Sequence, residues 1–264
     1  MKRILIVWLL LIVSLSAFAQ RKALVIANDT VEDVTLSSAV NDANLVADAF
    51  RALNYQVTLA LNPNHTAFQT AVDTFIRDLG TDETAVFYFS GFSNAEKGKN
   101  YLIPAQDTGK KAATAQVIDL EAILAGISKA DNSFAFLELR QLAAGFPKNL
   151  CAKSNALEAL PKAKANQAIA VASSPGKRLL AKENEYSIFS YSLVQNMMSE
   201  MMDYPELMNA TATKVKEVTK NTQVPYWQSN LRSPFSFFNP EIPLKIRFQR
   251  PLFRGIEGGG SYNF

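Results

Sequence analysis

Residues 84–91 read TAVFYFSG, an apolar run of aromatic and β-branched side chains that stops on Ser90-Gly91. The run does not alternate between apolar and polar residues, so neither face of such a strand can meet water. A strand of this kind belongs in a sheet covered on both sides, usually a parallel one. The rest of the chain must then supply strands to pair with it and helices to cover it.

Toward the amino terminus, KALVIAN (22–28) has the same character and is expected to be a second buried strand. Between the two lies SSAVNDANLVADAFRALN, in which Val46, Phe50 and Leu53 recur at helical spacing and Asp42 stands where a helix start signal belongs. YQVTLALN (55–62) alternates like a strand. HTAFQTAVDTFIRDLG (65–80) places Phe68, Val72, Phe75 and Leu79 three and four residues apart and is expected to stop on Gly80.

Toward the carboxyl terminus the pattern predicts a helix in VIDLEAILAGIS, strands in SFAFLELR (133–140) and NQAIAVASS (166–174), and helices over about 186–203 and 206–220. This order of elements predicts an α/β fold, a mainly parallel sheet flanked by helices on both faces. Ligands of such sheets bind beyond the carboxyl ends of the strands. The stretches to inspect therefore follow Asn28, Phe89, Leu139 and Ala172.

The chain has 264 residues, 48% of them hydrophobic, enough for one domain of about 200 to 250 residues or two small ones. Residues 1–19 carry Lys2-Arg3, an apolar run from Ile4 to about Leu15, and Ala17-Phe18-Ala19 before Gln20. That order is expected of a signal peptide cleaved after Ala19, which places the protein in the periplasm or the medium of a bacterium. The apolar run falls short of the ~20 residues that span a bilayer. The domain is expected over 20–240 and a tail over 241–264, so membrane association would come only through the leader or the tail.

Without the leader, 25 basic residues face 24 acidic ones, a net charge of +1. Such a chain has no electrostatic footprint for nucleic acid. Cys151 and His65 are the only residues of their types. An internal disulfide and a structural zinc site are thereby excluded, and no metal or other cofactor is expected. The Gly run near the end lacks a following helix and a lysine, so no phosphate loop is present.

Taken together, these stretches resemble the caspase and metacaspase superfamily, its bacterial caspase-like domains in particular. KALVIAN with LSSAVNDANLVADAFRALNYQVTL is similar to the family's opening strand, Asn-Asp-Ala helix and second strand. AVFYFSG is similar to the strand that runs into the family's Gly-His-Gly, and NYLIPAQD to the segment after it. AIAVASSPGK resembles the strand and loop of the substrate pocket, while YSIFSYSLVQNM and TQVPYW resemble the closing helix and tail.

The resemblance implies a caspase-like fold over about residues 22–238 and a family activity in which a cysteine thiolate attacks a peptide carbonyl and a histidine handles protons. On this chain the histidine position falls on Phe92, the glycine after it on Ser93, and the nucleophile segment on Leu137-Glu138-Leu139-Arg140, with Leu139 at the cysteine. The aspartate that helps hold a basic substrate residue falls on Leu137. The resemblance thus implies a pseudo-caspase with neither catalytic group. Phe92 and Leu139 are expected close together at the ends of neighbouring strands, with Asn28, Ser90, Gly91, Ser93, Leu137, Arg140, Ser173 and Ser174 lining the former groove.

A relocated Cys151–His65 dyad would need the two side chains within about 3 Å, and their places along the chain do not suggest it. Ser90, Ser93, Ser173 and Ser174 would need a base, and only Lys97, Lys99 or Lys177 stands near in sequence. The expected role is therefore binding or regulation, with a protein or peptide partner. A hydrolase with non-standard residues and a structural envelope protein are the alternatives. Met197, Met198, Met201, Met202 and Met208 read as core packing, since Phe189, Leu193 and Met197 share a helical face. The tail IPLKIRFQRPLFRGIEGGGSYNF mixes basic residues with phenylalanines and reads as a flexible end.

Overall fold

Every apolar run read above is a strand, and the strands with no polar face stand at the centre of one sheet. The structure, a computed structural model, describes residues 20–31, 34–36, 38–96, 98–105, 117–141, 160, 162–174, 185–199 and 201–238. The chain forms β1 (Arg21–Ala27), a small hairpin of β2 (Thr30–Val31) and β3 (Val34–Thr35), α1 (Ala39–Ala52), β4 (Gln56–Leu61), α2 (His65–Arg77) and β5 (Thr84–Glu96). It continues with β6 (Lys99–Leu102), β7 (Ile118–Asp119), α3 (Leu120–Ile127), β8 (Asn132–Gln141), β9 (Gln167–Val171), α4 (Ile188–Ser199), α5 (Tyr204–Val218) and β10 (Tyr226–Ser229).

The sheet runs β10-β9-β8-β5-β1-β4. β4, β1, β5, β8 and β9 are mutually parallel, and β10 closes the edge antiparallel to β9. β5 runs on past Gly91, where β6 pairs with it antiparallel and β7 with β6 in turn. This is the α/β arrangement, a mainly parallel sheet flanked by helices, that the order of elements implied.

The pleat sends alternate side chains of β5 to opposite cores. Val86, Tyr88 and Phe92 join Phe134, Phe136, Phe189 and Tyr204 under α1, α4 and α5. Phe87 and Phe89 join Phe68, Phe75 and Ile123 under α2 and α3. Each large side chain buried this way contributes about 1.5 to 3 kcal/mol, so the unalternating run is what draws helices to both faces.

Caps fix where helices begin. Asn64 accepts from Ala67 N–H at α2, Asp119 from Glu121 and Ala122 N–H at α3, and Asp203 with Glu206 forms a reciprocal capping box at α5. Asp42 does not start α1 as expected. Ser38 is the cap residue, and Asp42 lies inside the first turn, buried. α2 ends at Arg77 rather than running on to Gly80, and β9 ends at Val171. The last two helices occupy Ile188–Ser199, shorter than expected, and Tyr204–Val218, which begins two residues earlier than expected. Met197, Met198 and Met208 are buried, as core packing requires, while Met201 is 67% exposed.

Both ends of the described domain lie at the amino-terminal pole of the sheet. Thr84 N–H donates to Gln20 O, and the Arg21 guanidinium donates to Phe237 O while stacking 5.7 Å from the Tyr55 ring centre. Among the described residues no helix is long and apolar enough to cross a membrane. The leader 1–19 and the tail 241–264 lie outside the described residues.

Candidate functional site

β1 is flanked by β4 and β5, the next strands of the sheet along the chain, which lie on opposite sides of it, so the switch point of this sheet, where a crevice is expected, is at the carboxyl ends of β1 and β5. Asn28 and Ser90-Gly91 stand there. Asn28 N–H donates to Ser90 O at 2.9 Å, and its side-chain amide donates to Ile103 O at 2.7 Å. The chains approach so closely that a β-carbon on Gly91 would lie 2.9 Å from Asn28 O and 2.8 Å from the Phe89 ring. Glycine is required by this approach.

Across the ladder to β8, Gly91 pairs with Leu139 and Phe92 with Arg140. Phe92 and Leu139 are thus on neighbouring strands, one register step apart. They do not fill one cleft together as expected. The Phe92 ring is 3% exposed and packs on the α1 and α4 face, whereas Leu139 is half-buried against the opposite core. Alternation along two parallel strands forces this separation.

The face that takes Phe92 also takes Glu138 and Arg140. Glu138 is completely buried and Arg140 only 8% exposed. Glu138 Oε2 accepts from the Ser187 hydroxyl at 2.6 Å and from the Ser190 hydroxyl at 2.8 Å, while Oε1 is 3.5 Å from Arg140 Nη2. Ser190 gives its only proton to Glu138, so the Tyr88 hydroxyl, 2.7 Å away, must donate to it. Ser187 caps α4, accepting from Ser190 N–H at 3.1 Å.

Asp42 completes the cluster from α1. Its Oδ1 accepts from Ser187 N–H at 2.8 Å. Burial, with the nearby Glu138 charge adding to it, pushes the Asp42 carboxyl well above the usual carboxylate range, against the opposing pull of Ser187 N–H, the Ser38 hydroxyl and Arg140. Arg140 Nη2 also reaches the Ser38 hydroxyl at 3.2 Å. One guanidinium here serves two carboxyl groups. With Arg140 facing Glu138, burial favours the neutral form of Asp42.

The remaining expected groove residues are mostly interior. Leu137 is fully buried in the core under α3, packing rather than lining a groove, and Ser90 and Ser93 are buried on opposite faces of β5. Ser173 is buried, and Ser174 donates through its hydroxyl to Val224 O at 2.7 Å, tying the end of β9 to the entry of β10. His65 opens α2 just beyond β4, three strand positions from β8 and so about 14 Å from the Leu139 strand. Asp119, 3.4 Å away, raises the pKa of Lys99, the opposite of what a lysine base needs. Cys151, Lys97 and Lys177 lie outside the described residues, and among those described no three acidic, Cys or His groups could hold a metal ion.

Sequence reasoning missed Asp42, Glu138, Tyr88, Ser187 and Ser190 as one constellation. One signal was available. Glu138 and Arg140 are two apart on a strand whose preceding stretch, Phe134 to Leu137, is apolar on both faces, so both charges point to the same buried side. The family model of the caspase domain matches residues 20–236. None of the curated proteins matches the chain.

Proposed function

The chain belongs to the caspase-domain family, and from that premise we propose that it is an exported, catalytically inactive member that works by binding a protein or peptide partner. The observation that carries the reading is the pair of positions to which the resemblance assigns the family's histidine and cysteine. Phe92 and Leu139 stand there, on neighbouring strands with side chains directed to opposite faces. A phenyl and an isobutyl group can neither move a proton nor attack a carbonyl. His65, three strand positions from β8, offers no substitute base. The apolar run and Ala17-Phe18-Ala19 of the leader support export.

The test is direct. Mature protein beginning at Gln20 is incubated with peptides carrying Arg, Lys or Asp before the scissile bond, with and without calcium. No turnover is expected under either condition. Cleavage that disappears in Cys151→Ser would overturn the reading and place the chemistry on that thiol. Capture of partners from the cell envelope, compared between the wild type and a variant altered at the crevice, then identifies what the domain binds.

A further inference from the structure

Residues Glu185–Ser187 lead into α4, and three polar bonds fasten them to the rest of the domain. Asn41 donates to Glu185 O at 3.0 Å, Ser187 N–H donates to Asp42 at 2.8 Å, and the Ser187 hydroxyl donates to Glu138 at 2.6 Å. Two of the three end on buried carboxyl groups that share one arginine. We propose that Asp42, Glu138 and Arg140 form a pH-operated latch on Glu185–Ser187, which holds the entry of α4 while Asp42 carries a proton and lets it go when Asp42 ionises.

The electrostatics of the pocket supply the bias. The groups facing Asp42 are Glu138 and Arg140 from β8, Tyr88 from β5, Tyr186 and Ser187 from the segment itself, and Ser38 from the start of α1. Arg140 is the only cation among them and already faces Glu138. Among the described residues a second negative charge would have no counterion, and burial keeps water from it. Ionisation would tighten the Ser187 N–H bond, but burial and the Glu138 charge outweigh that bond, so swinging Glu185–Ser187 away is the local motion that hydrates Asp42.

The latch does not depend on the inactive-enzyme reading. It acts on a segment at the carboxyl pole, next in the described chain after Ser174 at the end of β9, and so ties the geometry of that pole to pH.

Because opening releases a proton, linkage fixes the slope. After correction for the intrinsic rate, hydrogen-exchange protection of the Ser187 and Ser190 amides should fall about tenfold per pH unit above about pH 4, the ordinary carboxylate value, and level off above the raised Asp42 value. The experiment is amide exchange by NMR on the mature chain across this range, with Leu207 N–H, bonded to Asp203 O in α5, as the reference.

In Asp42→Asn the slope should vanish. In Glu138→Gln, which removes the neighbouring charge, the fall should end at lower pH and be smaller in total, so this variant tests the latch if Asp42→Asn does not fold. Protection that is flat in the wild type, an unchanged profile in Glu138→Gln, a persisting slope in Asp42→Asn, or a parallel fall at Leu207 would each overturn the proposal.

Discussion

Gly91 is the register partner of Leu139, so Phe92 stands level with Arg140 and its ring turns away from Leu139 to the other face of the sheet. Position along the strands and direction of the side chains therefore disagree. Proximity of the two backbones does not make a shared site.

Restoring the family's residues should not restore its chemistry. The double variant Phe92→His, Leu139→Cys is expected to remain inactive on fluorogenic peptides. It should lose about 1 to 4 kcal/mol of stability, since a polar ring replaces a buried phenyl group in a tightly packed core. Urea unfolding and peptide turnover together check this, and efficient cleavage by the variant would refute it.

Arg140→Met leaves Glu138 buried without its counterion. A loss of about 3 to 5 kcal/mol is expected. Adding Glu138→Gln to it removes the stranded charge and should return much of the loss, which a double-mutant cycle by denaturant unfolding measures. Additive losses would mean that the two side chains do not interact.

The global stability should carry the signature of Asp42. Its folded pKa is raised by burial and by Glu138, so between the ordinary carboxylate value and the raised one the folded chain holds a proton that the unfolded chain has lost. The contribution of Asp42 is therefore greatest at acid pH and declines as pH rises through that window. Unfolding midpoints in Asp42→Asn, compared with the wild type over the same window, should lack this decline.

Gly91→Ala should destabilise by about 1 to 3 kcal/mol, an overpacking cost. The added methyl would meet Asn28 O, a backbone atom with no room to move, as well as the Phe89 ring. A thermal scan of this variant beside the wild type is sufficient.

Fractionation of the native producer should find the protein in the periplasm or medium with an amino terminus at or near Gln20. A cytosolic product retaining Met1 would remove export from the proposed function.

Much of the architecture was legible because strands buried on both faces write themselves as unbroken apolar runs, as TAVFYFSG and KALVIAN do. β6, β7 and β10 were not, since two to four residues carry no period and their pairing is decided by what β5 and β9 leave unsatisfied. At the site, LELR showed the absence of a cysteine but hid the buried ion pair. Reading Leu139 for its chemistry drew attention from Glu138 and Arg140, whose meaning depends on Asp42 from α1 and Ser187 beside α4, about 100 and 50 residues away. Asp42 was misread for the same reason. A carboxylate near a helix start suits the dipole wherever it points, and only the packed fold shows that it points inward.

Gln20 and Phe237 both leave the fold beside Arg21, at the pole opposite the crevice. A linker or immobilisation tag joined directly before Gln20, or directly after the described domain, therefore starts from the back of the molecule.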